Sequence, residues 1–193
     1  MDAIGVDSFS VAGSSYGALI AGLVYFAVPE RVEKLILVGS SSVFDTDEKY
    51  RAGLKRTYGN AAATFSNPDL ASCRRRMNTL VNDPASVPDE LLLMQLTHYA
   101  NPDCVAFYLT GNRNRVDAED AIGHRILDRL EEIDIPTLVI TGQQDPATDW
   151  QHTAVETKRI AGARSVLIDH CGHLPYLEQP HEFNDVVTEF LRS

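Results

Sequence analysis

A serine lies between two glycines in the stretch VAGSSYGA at residues 11–18. Gly13, Ser15 and Gly17 fit the pattern G-x-S-x-G, which places a serine hydroxyl on a sharp turn between a strand and a helix. Such a turn favours glycine, since side chains at the flanking positions are expected to collide with neighbouring elements. We therefore interpret Ser15 as a candidate nucleophile, and the alternative is an ordinary loop of small residues. Ser14 lacks the glycine spacing.

A serine hydroxyl is a poor nucleophile unless a histidine accepts its proton and a carboxylate orients that histidine. Asp145 follows the strand-like run of TLVITGQQDPATD, and His173 follows the run of SVLIDHCGHLP. Asp149 is an alternative acid, although an aspartate at that position is typical of a helix cap. His170 is an alternative base, and we expect it in an exposed loop. The order serine, aspartate, histidine then matches one of the three known orders of such triads.

The strands that could bring these side chains together are predicted from continuous apolar runs in the sequence. Such runs are typical of parallel strands that are covered on both faces. Helical patterns separate the runs, which predicts an α/β fold with a mostly parallel sheet and right-handed crossovers. Catalytic groups of open α/β sheets gather at the carboxyl ends of the strands, where all three candidates lie. The predicted strands are 9–13, 35–39, 137–141 and 165–168, and the predicted helices between and after them are 16–27, 150–161 and 180–191.

No convincing strand pattern occurs between residues 43 and 130. This interval instead contains four helix-like segments, at Asp45–Lys55, Asn67–Val81, Pro88–Ala100 and Pro102–Gly111. We predict a core formed by residues 1–42 and 131–193, with residues 43–130 inserted as a helical cap. Apolar side chains of this cap are candidates to line a substrate pocket: Leu92, Leu96, Tyr99, Phe107 and Tyr108.

The composition limits the possible partners of the chain. A net charge of −10 argues against nucleic acid and against anionic membranes as partners, although a local basic pocket can exist in an acidic protein. The three cysteines have neither paired nor metal-like spacing, and no signal-peptide pattern is visible at the first residues. We therefore expect reduced thiols, a cytoplasmic location, a small-molecule substrate, and neither a metal nor a cofactor.

Four blocks of the sequence, in this order, resemble the α/β-hydrolase family: VAGSSYG, PERVEKLILVGSS, IPTLVITGQQDP and DHCGHLPYLEQPHEF. The pattern G-H-x-P-x-x-E-x-P at 172–180 is the most specific part of the last block. The resemblance implies an α/β-hydrolase fold with a helical cap and a serine hydrolase that needs no cofactor. It also implies that Ser15 is the nucleophile, Asp145 the acid and His173 the base. The backbone N–H of Tyr16 would contribute to the oxyanion hole.

Within that family, the cap and the last block resemble the meta-cleavage-product hydrolases, which break a carbon–carbon bond in 2-hydroxy-6-oxo-dienoates. Three substrate-binding positions depart from that subfamily, because Ser14 replaces asparagine, Leu174 replaces tryptophan, and Gln95 aligns with a cap arginine. The arginine run 74–76 is interpreted as a solvated helix face. Cleavage of an ester and cleavage of a carbon–carbon bond therefore both remain open.

Members of the family carry further strands and an HG motif before the nucleophile strand, whereas only eight residues precede that strand here. Residues 1–8 resemble the tail of the helix that normally comes before it. An oxyanion hole with one donor instead of two is expected to lose about a hundred- to a thousandfold in rate. We expect a fragment of a longer enzyme. The alternatives are a homodimer completed through the open sheet edge, and a catalytically impaired remnant that binds a ligand or a protein.

Overall fold

The predicted α/β fold is confirmed in the computed structural model, which describes residues 1–117 and 125–193. Its parallel sheet has the order β1-β2-β3-β4. Each strand lies where an apolar run predicts it, and all four carboxyl ends reach one edge of the sheet. The strands are β1 (Phe9–Ser14), β2 (Val32–Val38), β3 (Thr137–Gly142) and β4 (Arg164–Ile168).

Apolar side chains cover both faces of this sheet, which explains why the runs are continuous. On one face, Leu35 and Leu37 of β2 pack with helix α1 (Tyr16–Ala27). On the other face, the alternate residues Ile36 and Val38 belong to the core that includes Phe190. The remaining helices outside the insertion are α2 (Ser41–Phe44), α7 (Trp150–Thr157), α8 (Pro175–Glu178) and α9 (Pro180–Arg192).

Four helices, which we call the insert helices, occupy the described part of the predicted cap. They are α3 (Asp47–Phe65), α4 (Leu70–Asn78), α5 (Asp89–Tyr99) and α6 (Pro102–Asp117). Thr46 and Asp69 cap α3 and α4 by accepting hydrogen bonds from backbone N–H groups. Part of this insertion has its own small core, formed by Cys73, Met77, Val81, Val87 and Leu92. Residues 118–124 of the predicted cap lie outside the described residues.

The first eight residues include a short 3-10 helix at Asp2–Ile4, which ends at Gly5 in a left-handed conformation. Arg31 holds this segment by an ion pair with Asp2 and by donating hydrogen bonds to the carbonyls of Val6 and Asp7. None of the helices in the described ranges has the length and apolar character needed to cross a membrane.

Candidate active site

Ser15 lies on a strained turn between β1 and α1. Its φ of 56° falls in the left-handed region, which non-glycine residues rarely adopt. The Ser15 N–H donates to the carbonyl of Val38 over 2.8 Å, so the pairing of β1 with β2 continues to the turn itself. A Cβ at Gly13 would lie 2.0 Å from the carbonyl oxygen of Gly17, which explains the first glycine. The expected collision at Gly17 is wrong, because a Cβ there meets nothing within 4 Å.

Two further serines hold the backbone of this turn. Ser40 Oγ donates to the Ser15 carbonyl over 2.9 Å, and Ser42 Oγ donates to the same oxygen over 3.3 Å. Both hydroxyls follow β2, the neighbour of β1. Sequence reasoning did not assign them a role, although the run GSSS directly after a predicted strand was the available signal.

Asp145 and His173 form a buried hydrogen-bonded pair at the same edge of the sheet. Asp145 Oδ2 lies 2.8 Å from His173 Nδ1, and the two side chains are 0% and 7% exposed. Asp145 Oδ1 accepts from the backbone N–H of Ala147 over 2.7 Å. A Cβ at Gly39, where φ is +52°, would lie 3.3 Å from Asp145 Oδ2, so this unpredicted glycine leaves room for the pair.

The loop that carries His173 is attached to the segment after α4. The backbone N–H of His173 donates to the carbonyl of Leu80 over 2.7 Å. Glu178 accepts from Gly172 N over 2.9 Å and from Asn82 N over 2.6 Å, so one carboxylate joins two segments. The glutamate of the pattern G-H-x-P-x-x-E-x-P therefore has a structural role that the pattern alone did not reveal.

The alternative acid and base lie in different surroundings. The His170 side chain is 82% exposed and lies near Asp169 rather than near Asp145. Asp149 is the N-cap of α7, where it accepts from the N–H of His152 over 3.0 Å. This hydrogen bond and the one from Lys49 hold the pKa of Asp149 below its usual value.

Other groups near His173 are poor candidates for nucleophilic or metal chemistry. Cys171 is buried, and burial raises the pKa of its thiol to about 12, which disfavours the thiolate that would react. Within the two described ranges, no group of His, Cys, Asp or Glu side chains could hold a metal ion.

Ser15, Tyr16 and His173 line one cavity of about 300 Å³, which we call the catalytic cavity. Tyr16 is the first residue of α1, so its backbone N–H belongs to the positive end of a helix. In the described residues, no hydrogen bond joins the Ser15 hydroxyl to the His173 imidazole. Such contacts often form only once substrate is bound.

The cavity also contains a cation that sequence reasoning missed. The run 74–76 was expected to lie on a solvated helix face. Arg76 instead lines the catalytic cavity. Its guanidinium carbon lies 5.5 to 5.7 Å from the ring centres of Phe65, Tyr99 and Tyr108. Arg76 Nη2 also donates to Tyr108 Oη over 3.1 Å. The signal is weak in the sequence, because Arg74 of the same run pairs with Asp89 on the surface.

The predicted substrate-binding residues lie in different places. Leu174 lines the catalytic cavity and also a second cavity, of about 440 Å³, which Gln95 lines as well. Ser14 Oγ is buried without a hydrogen-bond partner among the described residues, and Ser14 lines neither cavity. Of the predicted apolar lining residues, Tyr108 lines the catalytic cavity and Tyr99 the second one, whereas Phe107 is 83% exposed.

Comparison with known proteins gives one family for nearly the whole chain. A family model described as alpha/beta hydrolase fold matches residues 1–180. The chain is 28% identical to 2-hydroxymuconate semialdehyde hydrolase of Pseudomonas putida, over 99% of its own length and 65% of that protein. It is 24% identical to the human monoacylglycerol lipase ABHD6, over 96% of its own length and 55% of that protein.

A solved structure gives the same fold. The 2-hydroxy-6-oxo-6-phenylhexa-2,4-dienoate hydrolase from Rhodococcus sp. strain RHA1 superimposes with a TM-score of 0.81 at 22% identity. The match covers 100% of this chain and 67% of that one. The chain thus spans between about half and two thirds of the length of the relatives it matches.

Proposed function

Because the chain belongs to the alpha/beta hydrolase fold family, we propose that it is a serine hydrolase with Ser15, His173 and Asp145 as its catalytic triad. The observation that carries the proposal is the buried contact of 2.8 Å between Asp145 and His173, beside the cavity that Ser15 lines. Asp145 accepts a hydrogen bond from His173 Nδ1–H, which leaves Nε2 as the proton acceptor for the nucleophile.

The proposed reaction begins when Ser15 Oγ attacks the carbonyl carbon of the substrate and His173 accepts the hydroxyl proton. The backbone N–H of Tyr16 stabilises the oxyanion that forms, and Asp145 stabilises the imidazolium. His173 then returns the proton to the leaving group. In the second half, water attacks the acyl enzyme with His173 as general base, and Ser15 is released.

The substrate class that we propose is a small carbonyl compound, either an ester or a 2-hydroxy-6-oxo-dienoate-type ketone. The names of the two relatives support both, since one is a semialdehyde hydrolase and the other a lipase. Attack on a carbonyl carbon is common to both reactions, which differ in whether an oxygen or a carbon leaves. Leu174 is the proposed substrate contact in the catalytic cavity, and Ser14 and Gln95 are proposed to shape its surroundings.

Two further proposals concern the cellular location and the oligomeric state of the protein. The three cysteines, Cys73, Cys104 and Cys171, form no disulfide with one another, which supports a reducing cytoplasmic location. The outer edge of β1, which pairs only with β2 in the described residues, supports a homodimer formed through that edge.

A fluorophosphonate probe followed by peptide mass analysis tests the triad directly. We expect one adduct on the peptide that contains Ser15, together with turnover of 4-nitrophenyl acetate. Ser15→Ala should lose both, whereas the matched variant Ser10→Ala, at an exposed position of β1, should retain both. An adduct on another serine, or a folded protein that neither reacts with the probe nor hydrolyses the ester, would contradict the proposed function.

A further inference from the structure

The hydroxyls of Ser40 and Ser42 meet the nucleophile turn at a single atom, the carbonyl oxygen of Ser15. Ser40 Oγ donates to this oxygen over 2.9 Å. The single proton of Ser42 has two acceptors in reach, Ser40 Oγ over 2.9 Å and the Ser15 oxygen over 3.3 Å. Ser40 and Ser42 are 2% and 3% exposed, which keeps these hydrogen bonds away from bulk water. Both hydroxyls therefore act on one carbonyl, directly or through each other.

This carbonyl belongs to the same peptide group as the backbone N–H of Tyr16. A trans peptide group is planar, so its N–H points in the opposite direction from its C=O, and no cis peptide bond occurs in the described ranges. The Ser15 oxygen also accepts from the N–H of Ala18 over 3.0 Å. The hydrogen bonds to this oxygen thus fix the direction of the Tyr16 N–H, which is the proposed donor of the oxyanion hole.

The same hydrogen bonds hold a conformation that the backbone alone disfavours. Ser15 has φ of 56° and ψ of −123°, and such a residue persists only where its surroundings hold it. A hydrogen bond to a carbonyl also polarises the peptide group, and members of a hydrogen-bonded chain strengthen one another. Ser40 is not among the residues that line the catalytic cavity, which leaves the peptide group as its path to the reaction.

We propose that Ser40 and Ser42 are positioning residues of the oxyanion hole, because their hydroxyls orient and polarise the peptide group that donates the Tyr16 N–H. The effect on turnover rests on the proposed hydrolase function. Loss of one oxyanion donor costs about a hundred- to a thousandfold in kcat, and chain formation strengthens a hydrogen bond by about 10–30%. Ser40→Ala should therefore lower kcat by about two- to eightfold without a change in KM.

NMR tests the effect on the peptide group without any turnover. Labelling with ¹⁵N-tyrosine gives seven backbone signals, and Tyr16→Phe identifies the Tyr16 signal by its absence. We expect Ser40→Ala to move this signal upfield, since the carbonyl loses a hydrogen bond, and Ser42→Ala to move it less. The matched control Thr157→Val removes another buried hydroxyl, which donates to the Thr153 carbonyl over 2.7 Å, and should leave the signal in place. An unmoved Tyr16 signal in Ser40→Ala would overturn the proposal.

A trifluoromethyl ketone with a ¹³C carbonyl separates this role from a merely structural one. Ser15 Oγ bonds to the carbonyl carbon, and its proton passes through His173 to the former carbonyl oxygen, which gives a hemiketal. Stronger oxyanion donors lower the pKa of the hemiketal hydroxyl. Followed by the ¹³C signal against pH, Ser40→Ala should raise this pKa, whereas Thr157→Val should leave it unchanged. Weaker binding with an unchanged pKa would show that Ser40 only supports the fold, and would overturn the proposal.

Turnover of 4-nitrophenyl acetate is measured on the same samples. A rise in KM at unchanged kcat in Ser40→Ala would contradict the proposal. If Ser40→Ala does not fold, Ser42→Ala gives the same readouts with smaller changes of the same sign. If the unmodified chain forms no hemiketal and does not hydrolyse the ester, the proposed hydrolase function fails, whereas the Tyr16 signal still decides whether the two hydroxyls act on this peptide group.

Discussion

Asp145 and Asp149 lie four residues apart after β3, and their contacts give them different roles. The carboxylate of Asp145 is fully buried against the imidazole of His173. The carboxylate of Asp149 caps α7 and pairs with Lys49 at the surface. Both are aspartate side chains, so their difference comes only from what surrounds them.

Separate replacement of the two aspartates should affect different properties: activity for Asp145 and stability for Asp149. Asp145→Asn removes the negative charge and turns an amide N–H toward His173 Nδ1, since the amide oxygen is needed to accept from Ala147 N–H. This fixes the wrong tautomer of His173, so we expect kcat to fall by about 10⁴ with little change in the folded structure. Asp149→Ala removes a helix cap, so we expect unfolding to become easier by about 1 kcal/mol while kcat stays unchanged. Ester kinetics and urea unfolding measure the two effects. Full kcat in the Asp145→Asn variant, or loss of kcat in the Asp149→Ala variant, would contradict the assignment of Asp145 as the acid.

The three proposed triad residues could be selected from the sequence because each has a local signal. Ser15 has its glycine frame, and the other two follow predicted strands in a known order. Gly39 and Arg76 had no comparable signal, and Glu178 was part of the pattern at 172–180 without an assigned role. Their roles come from the register of β2 beside β3, from the hydrogen bond of Asn82 to Glu178, and from the place of Arg76 in the catalytic cavity. These are tertiary contacts that local patterns do not contain.

At the scale of elements, the crossing of β1 and α1 decides where the nucleophile lies. Gly13 ends up against the backbone of Gly17, with room for a hydrogen atom but not for a methyl group. The same turn leaves space around Gly17 itself. The two glycines of one motif therefore differ in physical need, although they look equivalent in the sequence.

A pair of alanine substitutions measures this difference. Gly13→Ala forces β1 and α1 apart, so we expect a loss of about 3 kcal/mol in the free energy of unfolding and a displaced Ser15. Gly17→Ala lies in the first turn of a helix without a clash, so we expect no loss and a gain of up to about 1 kcal/mol. Urea unfolding and fluorophosphonate labelling provide the readouts. Equal stability of the two variants would show that the turn relaxes more easily than the described geometry allows.

Helix boundaries were harder to predict than the elements themselves. The helix α3 continues to Phe65 beyond its predicted end at Lys55, because its apolar residues also pack within the insertion. The helix α7 ends at Thr157, before the predicted end at residue 161. Here the chain turns early to reach β4, with Gly162 in a left-handed conformation. Propensity indicates that a helix exists, whereas tertiary contacts decide where it stops.

At the scale of the whole molecule, the two outer strands of the described sheet are unequal. The strand β4 carries Arg164, which pairs with Glu189, and a charged side chain protects an edge from pairing with other chains. The strand β1 has the sequence FSVAGS and carries no charge. Ser10 and Ala12 are exposed on it, so the β1 edge is the less protected of the two.

We therefore expect the 193-residue chain to associate through β1. Two copies of one edge pair about a two-fold axis as antiparallel strands, so residues near the middle of β1, such as Ala12, lie close to their own copies. Ala12→Lys places like charges near each other in such a pair and should shift the chain toward the monomer in light scattering across a concentration series. The matched variant Leu167→Lys, at an exposed position of β4, should leave the association unchanged. If Leu167→Lys dissociates the chain and Ala12→Lys does not, the contact lies at β4, and the absence of charge on β1 is not what decides the assembly.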